Sequence, residues 1–179
     1  MRLKGLYTRD HLGISFELFP PKKWEGMAHL FEHFQELASC SPSFVTCTYG
    51  AGGAARERTL EVLDWIRGDY PQIPVAAHLT CVGSTRAELL AYIQKALEQG
   101  VQGIVALRGD PPRGETVYTS VPGGLNHADE LVALIREVSA EMMVLVAGYP
   151  EKHPEAASID EDLDYLRRKV DTGADAVLS

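Results

Sequence analysis

The chain has 179 residues, 45% of them hydrophobic and 23% charged, with a formal net charge of -8. That length and apolar content suit a single domain with a buried core, and the acidic balance argues against a nucleic-acid partner, which needs a basic face to offset phosphate charge. No apolar stretch has the length of a signal peptide or membrane span, and Cys40, Cys47 and Cys81 are odd in number with no C-x-x-C spacing, so reduced thiols in a cytoplasmic protein are expected.

Five short apolar runs follow one another, at 14–19, 44–49, 75–81, 103–107 and 143–149, and read as strands covered on both faces. Each ends on a polar or charged residue, turns a Gly- or Pro-rich corner and leads into an amphipathic helix. Parallel strands alternating with helices present all their carboxyl ends on one face, where catalytic side chains sit. Leu30, Phe31, Phe34 and Leu37 share one helix face; so do Leu89, Leu90, Ile93 and Leu97, and Leu131, Leu134, Ile135 and Val138. Thr85 with Glu88 and Ser158 with Glu161 have capping-box spacing, and Gly100 and Gly173 stand where left-handed stops are wanted. The longest connection, 110–127, lies where active-site loops lie in such folds. A sixth strand begins at Asp175-Ala176-Val177-Leu178-Ser179. A closed eight-fold barrel takes about 250 residues, so five units and a fragment suggest the first two-thirds of one, with further sequence to follow. Open edge strands would favour association, and a homo-oligomer is expected.

Glu17, in Ser15-Phe16-Glu17-Leu18-Phe19-Pro20-Pro21, is a lone carboxylate among large apolar side chains. Desolvation there would favour the neutral acid, as a general acid requires; the other reading is an exposed carboxylate at the edge of the sheet, and the double proline, which would fix its position, favours the first. Arg108-Gly109-Asp110-Pro111-Pro112 repeats the design on the fourth run. Thr48-Tyr49-Gly50-Ala51-Gly52-Gly53-Ala54-Ala55 satisfies G-x-G-x-x-A between strand and helix, so a Rossmann-type NAD-dependent dehydrogenase is one reading, although the next strand lacks the acidic residue that holds the ribose. His29-Leu30-Phe31-Glu32-His33 matches the zinc-protease pattern H-x-x-E-H, but Leu30 and Phe31 mark a core-packing helix and no third ligand follows, so no metal is expected. Gly148-Tyr149-Pro150-Glu151-Lys152-His153-Pro154 locks an aromatic, a cation and an imidazole between prolines, and Arg167-Arg168-Lys169 gathers positive charge, which is commonly a solvated helix face but which a diphosphate would also match.

Taken together, Ser15 to Lys22, Thr48 to Gly53, His78-Leu79-Thr80-Cys81, Ala106 to Pro112 and Gly148 to Glu155 resemble, in order and spacing, the motifs of methylenetetrahydrofolate reductases, from about residue 13 to the last. The resemblance implies a flavin-carrying (β/α)8 TIM barrel, of which this chain supplies the first five βα units and the start of strand six as one partial catalytic domain. It implies reduction of 5,10-methylenetetrahydrofolate to 5-methyltetrahydrofolate, with NADH or NADPH reducing non-covalent FAD and leaving before the folate takes its place. Carried over by position, Glu17 is the general acid that opens the folate's five-membered ring to an iminium ion. Asp110 contacts the pterin ring and, close to the flavin, stabilises the cationic intermediate. Thr48, Tyr49, Ala51, His78, Arg108, Gly109, Asp110, Ala128, Tyr149, His153, Ala156, Asp162, Arg168 and Lys169 fall on flavin-site positions, with Thr48 also near the nicotinamide, and the basic cluster gains the FAD diphosphate as its partner. The chain departs from the family at Ala54-Ala55, where Ser-Thr is common, and it stops before a folate-binding glutamine. A third reading is a non-catalytic truncated barrel that acts as an assembly or regulatory partner.

Overall fold

A computed structural model describes residues 13–49, 53–111 and 114–179, with the backbone alone at 53–55. Strands and helices alternate: β1 (Ser15–Leu18), α1 (Gly26–Ser39), β2 (Phe44–Cys47), α2 (Gly53–Asp69), β3 (Val75–Thr80), α3 (Arg86–Glu98), β4 (Gly103–Leu107), α4 (Ala128–Val138), β5 (Met143–Ala147), α5 (Ile159–Thr172) and β6 (Ala176–Leu178). The strands lie side by side in chain order. The registers are parallel, with Glu17 beside Thr46, Thr46 beside Ala76 and Val146 beside Val177. Consecutive parallel neighbours joined by helices are the wall of a (β/α)8 barrel, and five βα units with a sixth strand are present here. A dinucleotide-binding sheet reverses its strand order at a switch point. This sheet does not reverse, and the Rossmann reading of the glycine corner fails on that ground.

Two compact units divide the chain, one holding residues up to Leu79 with Lys95–Ile104, the other Thr80–Gln94 with Val105–Ser179. In the first, the expected α1 face packs through Phe34, which is fully buried and meets Trp65 and Tyr70 edge-on, while Phe31 stacks on Trp65 at 3.8 Å between centroids. In the second, Leu131, Val132, Leu134 and Ile135 of α4 are buried, and β5 is buried from Met143 to Val146. The expectation that every strand is covered on both faces fails at the ends of the sheet. Among the described residues β1 and β6 each have one neighbouring strand; Phe19 is 70% exposed, and α5 has no buried residue. Leu97, expected in the α3 core, is exposed, and Tyr92 and Ala96 are buried instead.

The local signals act as the spacing predicts. Thr85 and Glu88 cap α3 reciprocally, the carboxylate accepting from Thr85 N at 2.8 Å and the hydroxyl accepting from Glu88 N at 3.3 Å. At α5, Ser158 Oγ accepts from Glu161 N at 3.1 Å, but the Glu161 carboxylate reaches Ala157 N rather than Ser158 N. Gly100 and Gly173 both take positive φ behind their helices. Ser158→Ala is expected to cost about 1 kcal/mol, read as a lower urea midpoint with an unchanged slope. No change in the midpoint would mean that the cap does not hold α5. Among the described residues, no helix is long and apolar enough to cross a membrane.

Candidate functional site

In the first unit the site is built on β1, β2 and β3. Residues two apart on a strand share a face, so the register that sets Glu17 beside Thr46 and Ala76 also brings His78 to Glu17's side of the sheet. Glu17 Oε2 lies 3.4 Å from His78 Nε2, close enough to couple the charges although the two are not aligned as a hydrogen bond. His78 is buried, whereas the Glu17 side chain is 48% exposed. The desolvated carboxylate expected from the sequence is not seen: among the described residues β1 has one neighbouring strand, and its flanking aromatic, Phe19, faces solvent. Thr48 O accepts from the buried Thr59 hydroxyl at 2.8 Å, which ties the end of β2 to α2, and the Arg56 guanidinium sits 5.4 Å from the centroid of the Tyr49 ring. Burial, with a smaller contribution from Glu17, pushes the Cys47 thiol up to about 12, so it is a packing group and not a nucleophile.

Burial lowers the His78 pKa below its ordinary 6.5, and the Glu17 charge partly offsets that. The unfolded chain takes up this proton as pH falls through about 6.5, while the folded chain resists. Stability is therefore lost on acidification below that point and until the folded pKa is reached. In Glu17→Gln the offset is gone, and the His78 midpoint, followed by its imidazole NMR signal, is expected at lower pH than in the parent. An unchanged or higher midpoint would show that the two groups do not interact.

In the second unit the carboxyl ends of β4 and β5 carry the chemistry. Gly109 turns the corner after β4 at φ +88, and a Cβ there would come within 2.8 Å of Val82 and 3.1 Å of Thr80, so only glycine fits. That turn exposes Asp110 and sends Arg108 toward the β5–α5 connection. Arg108 forms a two-pronged ion pair with Glu155 at 2.6 and 2.7 Å, and its guanidinium lies 5.0 Å from the centroid of the Tyr118 ring. The Glu155 hydrogen bonds raise the pKa of Arg108 and the same pairing lowers that of Glu155. Tyr149 is 47% exposed with His153 edge-on to its ring at 4.8 Å, and Asp162 accepts from His153 N at 3.0 Å. Lys152 donates to His153 O and Ala156 O, and Ala156 is buried. Lys169 donates to Ala147 O at 2.6 Å; burial pulls its pKa down, with Asp162 and Asp129 opposing. Ala128 opens α4, followed by Asp129 and Glu130. Burial, then Glu130 and Asp129, pushes Cys81 up to about 12.

The structure thus joins Glu17 with His78, and Arg108 with the Tyr149–Ala156 corner. It does not keep the basic cluster together, because consecutive helical residues point about 100° apart. Arg167 pairs with Asp164 in solvent and Arg168 lies over Tyr165, so Lys169 alone of the three reaches the end of β5. Ala51 and its neighbours Gly50 and Gly52 fall outside the described residues. Sequence reasoning missed the partnership of Glu155 and the ring of Tyr118 under Arg108. Glu155 carried one signal, its place in the same proline-locked corner as His153; Tyr118 carried none.

A parallel βα wall whose strands run in chain order is the architecture of the TIM-barrel proteins. Among solved structures, a 2,3-dimethylmalate lyase shares the fold with a TM-score of 0.66 at 12% identity, covering 98% of this chain and 61% of that one. The chain belongs to the methylenetetrahydrofolate reductase family, whose model matches residues 2–179. It is 40% identical over 172 residues to the 5,10-methylenetetrahydrofolate reductase of Salmonella typhimurium, covering 96% of this chain and 55% of that relative. It is also 35% identical over 188 residues to a methylenetetrahydrofolate reductase (NADH) of Arabidopsis thaliana, covering 99% and 32% respectively. The chain therefore spans about half the length of its bacterial relatives and about a third of the plant ones.

Proposed function

We propose that this chain carries the flavin-facing wall of an enzyme that reduces 5,10-methylenetetrahydrofolate to 5-methyltetrahydrofolate, with electrons from NADH or NADPH passing through FAD. The family match over residues 2–179 carries the reading. The residues present fit an anionic, aromatic cofactor: Lys169 is a partly buried ammonium at the end of β5, Arg108 a cation at the end of β4, and Tyr149 an exposed ring backed by His153. Lys169 and Arg108 would offer positive charge to the diphosphate, while Arg168, turned toward Tyr165, would stand outside that contact. Thr48, Tyr49, Ala51, His78, Gly109, Ala128, His153, Ala156 and Asp162 would shape the remainder, with Thr48 also near the nicotinamide. FAD, when bound, supplies the hydride-accepting and hydride-donating centre.

The chain's own groups do the acid–base and electrostatic work. Glu17 gives a proton to the ring nitrogen of the folate as its methylene bridge opens, and access to solvent at this carboxylate lets it reprotonate after each cycle. His78, whose charged form burial disfavours, stands 3.4 Å from that carboxylate without trapping it in a permanent ion pair. Asp110 supplies negative charge toward the cationic folate. The protein works in a reducing, cytoplasmic setting, with Cys40, Cys47 and Cys81 as free thiols.

The test is the visible absorption of protein purified after incubation with FAD. The flavin band is expected to persist through gel filtration, to bleach with NADH or NADPH in the absence of oxygen, and to return on adding methylenetetrahydrofolate. A protein that stays colourless, or a flavin that neither nicotinamide reduces, would remove the reading.

A further inference from the structure

His29 and His33 stand four residues apart on α1, with their Nε2 atoms 3.1 Å from each other and ring centroids 4.2 Å apart. The rotation of α1 is fixed from the opposite side, by the burial of Met27 and Phe34 and the stacking of Phe31 on Trp65, and this leaves both imidazoles facing solvent. Metal–imidazole bonds are about 2.0–2.1 Å long, so nitrogens 3.1 Å apart would subtend roughly 100° at a shared ion, between the square and tetrahedral angles. Paired imidazoles one helical turn apart are a chelating arrangement. Among the described residues, no third histidine, cysteine or carboxylate joins them.

We propose that His29 and His33 form a two-imidazole chelate for a divalent transition ion, with water in the remaining positions. This differs from the protease reading of H-x-x-E-H, which needs a third ligand and a general base; here Glu32 has no role and Phe31 belongs to the core. Neutral imidazole is the ligand, so protons compete with the metal. Nitrogen donors without thiolate rank the ions as Cu2+ above Ni2+ above Co2+, with Zn2+ below Cu2+. The chelate ring spans one turn of α1, so an occupied site staples that helix.

The experiment titrates the whole protein with NiCl2 and with CuCl2 by calorimetry, in a Cys40→Ser background because that thiol is exposed, alongside His29→Asn and His33→Asn. One ion is expected per chain at pH 7.5, bound more tightly for Cu2+ than for Ni2+. Each single variant should weaken binding at least about tenfold. Both variants are solvent-facing and should keep the parent's circular dichroism; FAD binding should be unchanged, which separates this site from the flavin reading. Binding of undiminished affinity in either variant, or no saturable binding below about 1 mM metal, the range of adventitious surface contacts, would overturn the proposal.

Discussion

If the chain has the proposed activity, Glu17→Gln is expected to leave flavin reduction by NADH or NADPH nearly unchanged and to slow reoxidation by methylenetetrahydrofolate by about 10²- to 10⁴-fold, the usual contribution of a positioned general acid. Glutamine keeps the shape of the side chain and its place on β1 near His78 but has no acidic proton to give. Stopped-flow measurement of the two half-reactions separates the roles. The nicotinamide step needs no proton from this position, so a selective loss marks Glu17 as the donor. Equal loss in both halves would make it a structural residue. The half-exposed position of Glu17 adds a condition. With the site open to water, the pH dependence of the folate half-reaction should change in Glu17→Gln, while that of the nicotinamide half-reaction should not.

Arg136→Met is expected to destabilise the fold by about 3–5 kcal/mol, the range seen when one partner of a largely buried ion pair is removed. Arg136, on α4, donates to Gly173 O at 3.0 and 2.7 Å, to Met142 O at 2.5 Å and to Ala140 O at 3.3 Å, and its Nη2 meets Asp175 Oδ2 at 2.5 Å. The two side chains are 19% and 20% exposed, so solvent screening removes little of the interaction. One guanidinium therefore ties the end of α4 to the lead into β5, the stop of α5 and the entry to β6, and Asp175 passes the link on by accepting from Val144 N at 2.9 Å. Methionine keeps the stem and removes every donor, which leaves a carboxylate and several carbonyls facing an apolar group. A double-mutant cycle with Asp175→Asn, read by urea denaturation, isolates the pair. A loss below about 1 kcal/mol, the value of an exposed surface pair, would show that water replaces the guanidinium without penalty.

The strand–helix rhythm, the capping pairs and the glycine stops were legible in the sequence because each depends on residues within a few positions of one another. β2 through β5 could be found by their apolar runs, since a strand buried on both faces must be apolar throughout. The same rule misjudged β1. Whether a strand lies at the end of a sheet is settled by which other strands exist to cover it, and no residue of β1 records that. Among the described residues β1 has one neighbouring strand and Glu17 is half exposed, so the desolvation that its sequence neighbours suggest is not seen there.

By itself the sequence determined a parallel βα wall, the corners at its carboxyl ends and the family to which those corners belong, because short-range periodicity and ordered motifs are written along the chain. Tertiary structure alone decided the partners: Glu155 for Arg108 across 47 positions, Asp175 for Arg136 across 39, His78 for Glu17 through an intervening strand, and the dispersal of Arg167, Arg168 and Lys169 around one helix. Such pairings follow from strand register and helix rotation, and both are set by packing among elements distant in sequence, which charge runs and spacing do not encode.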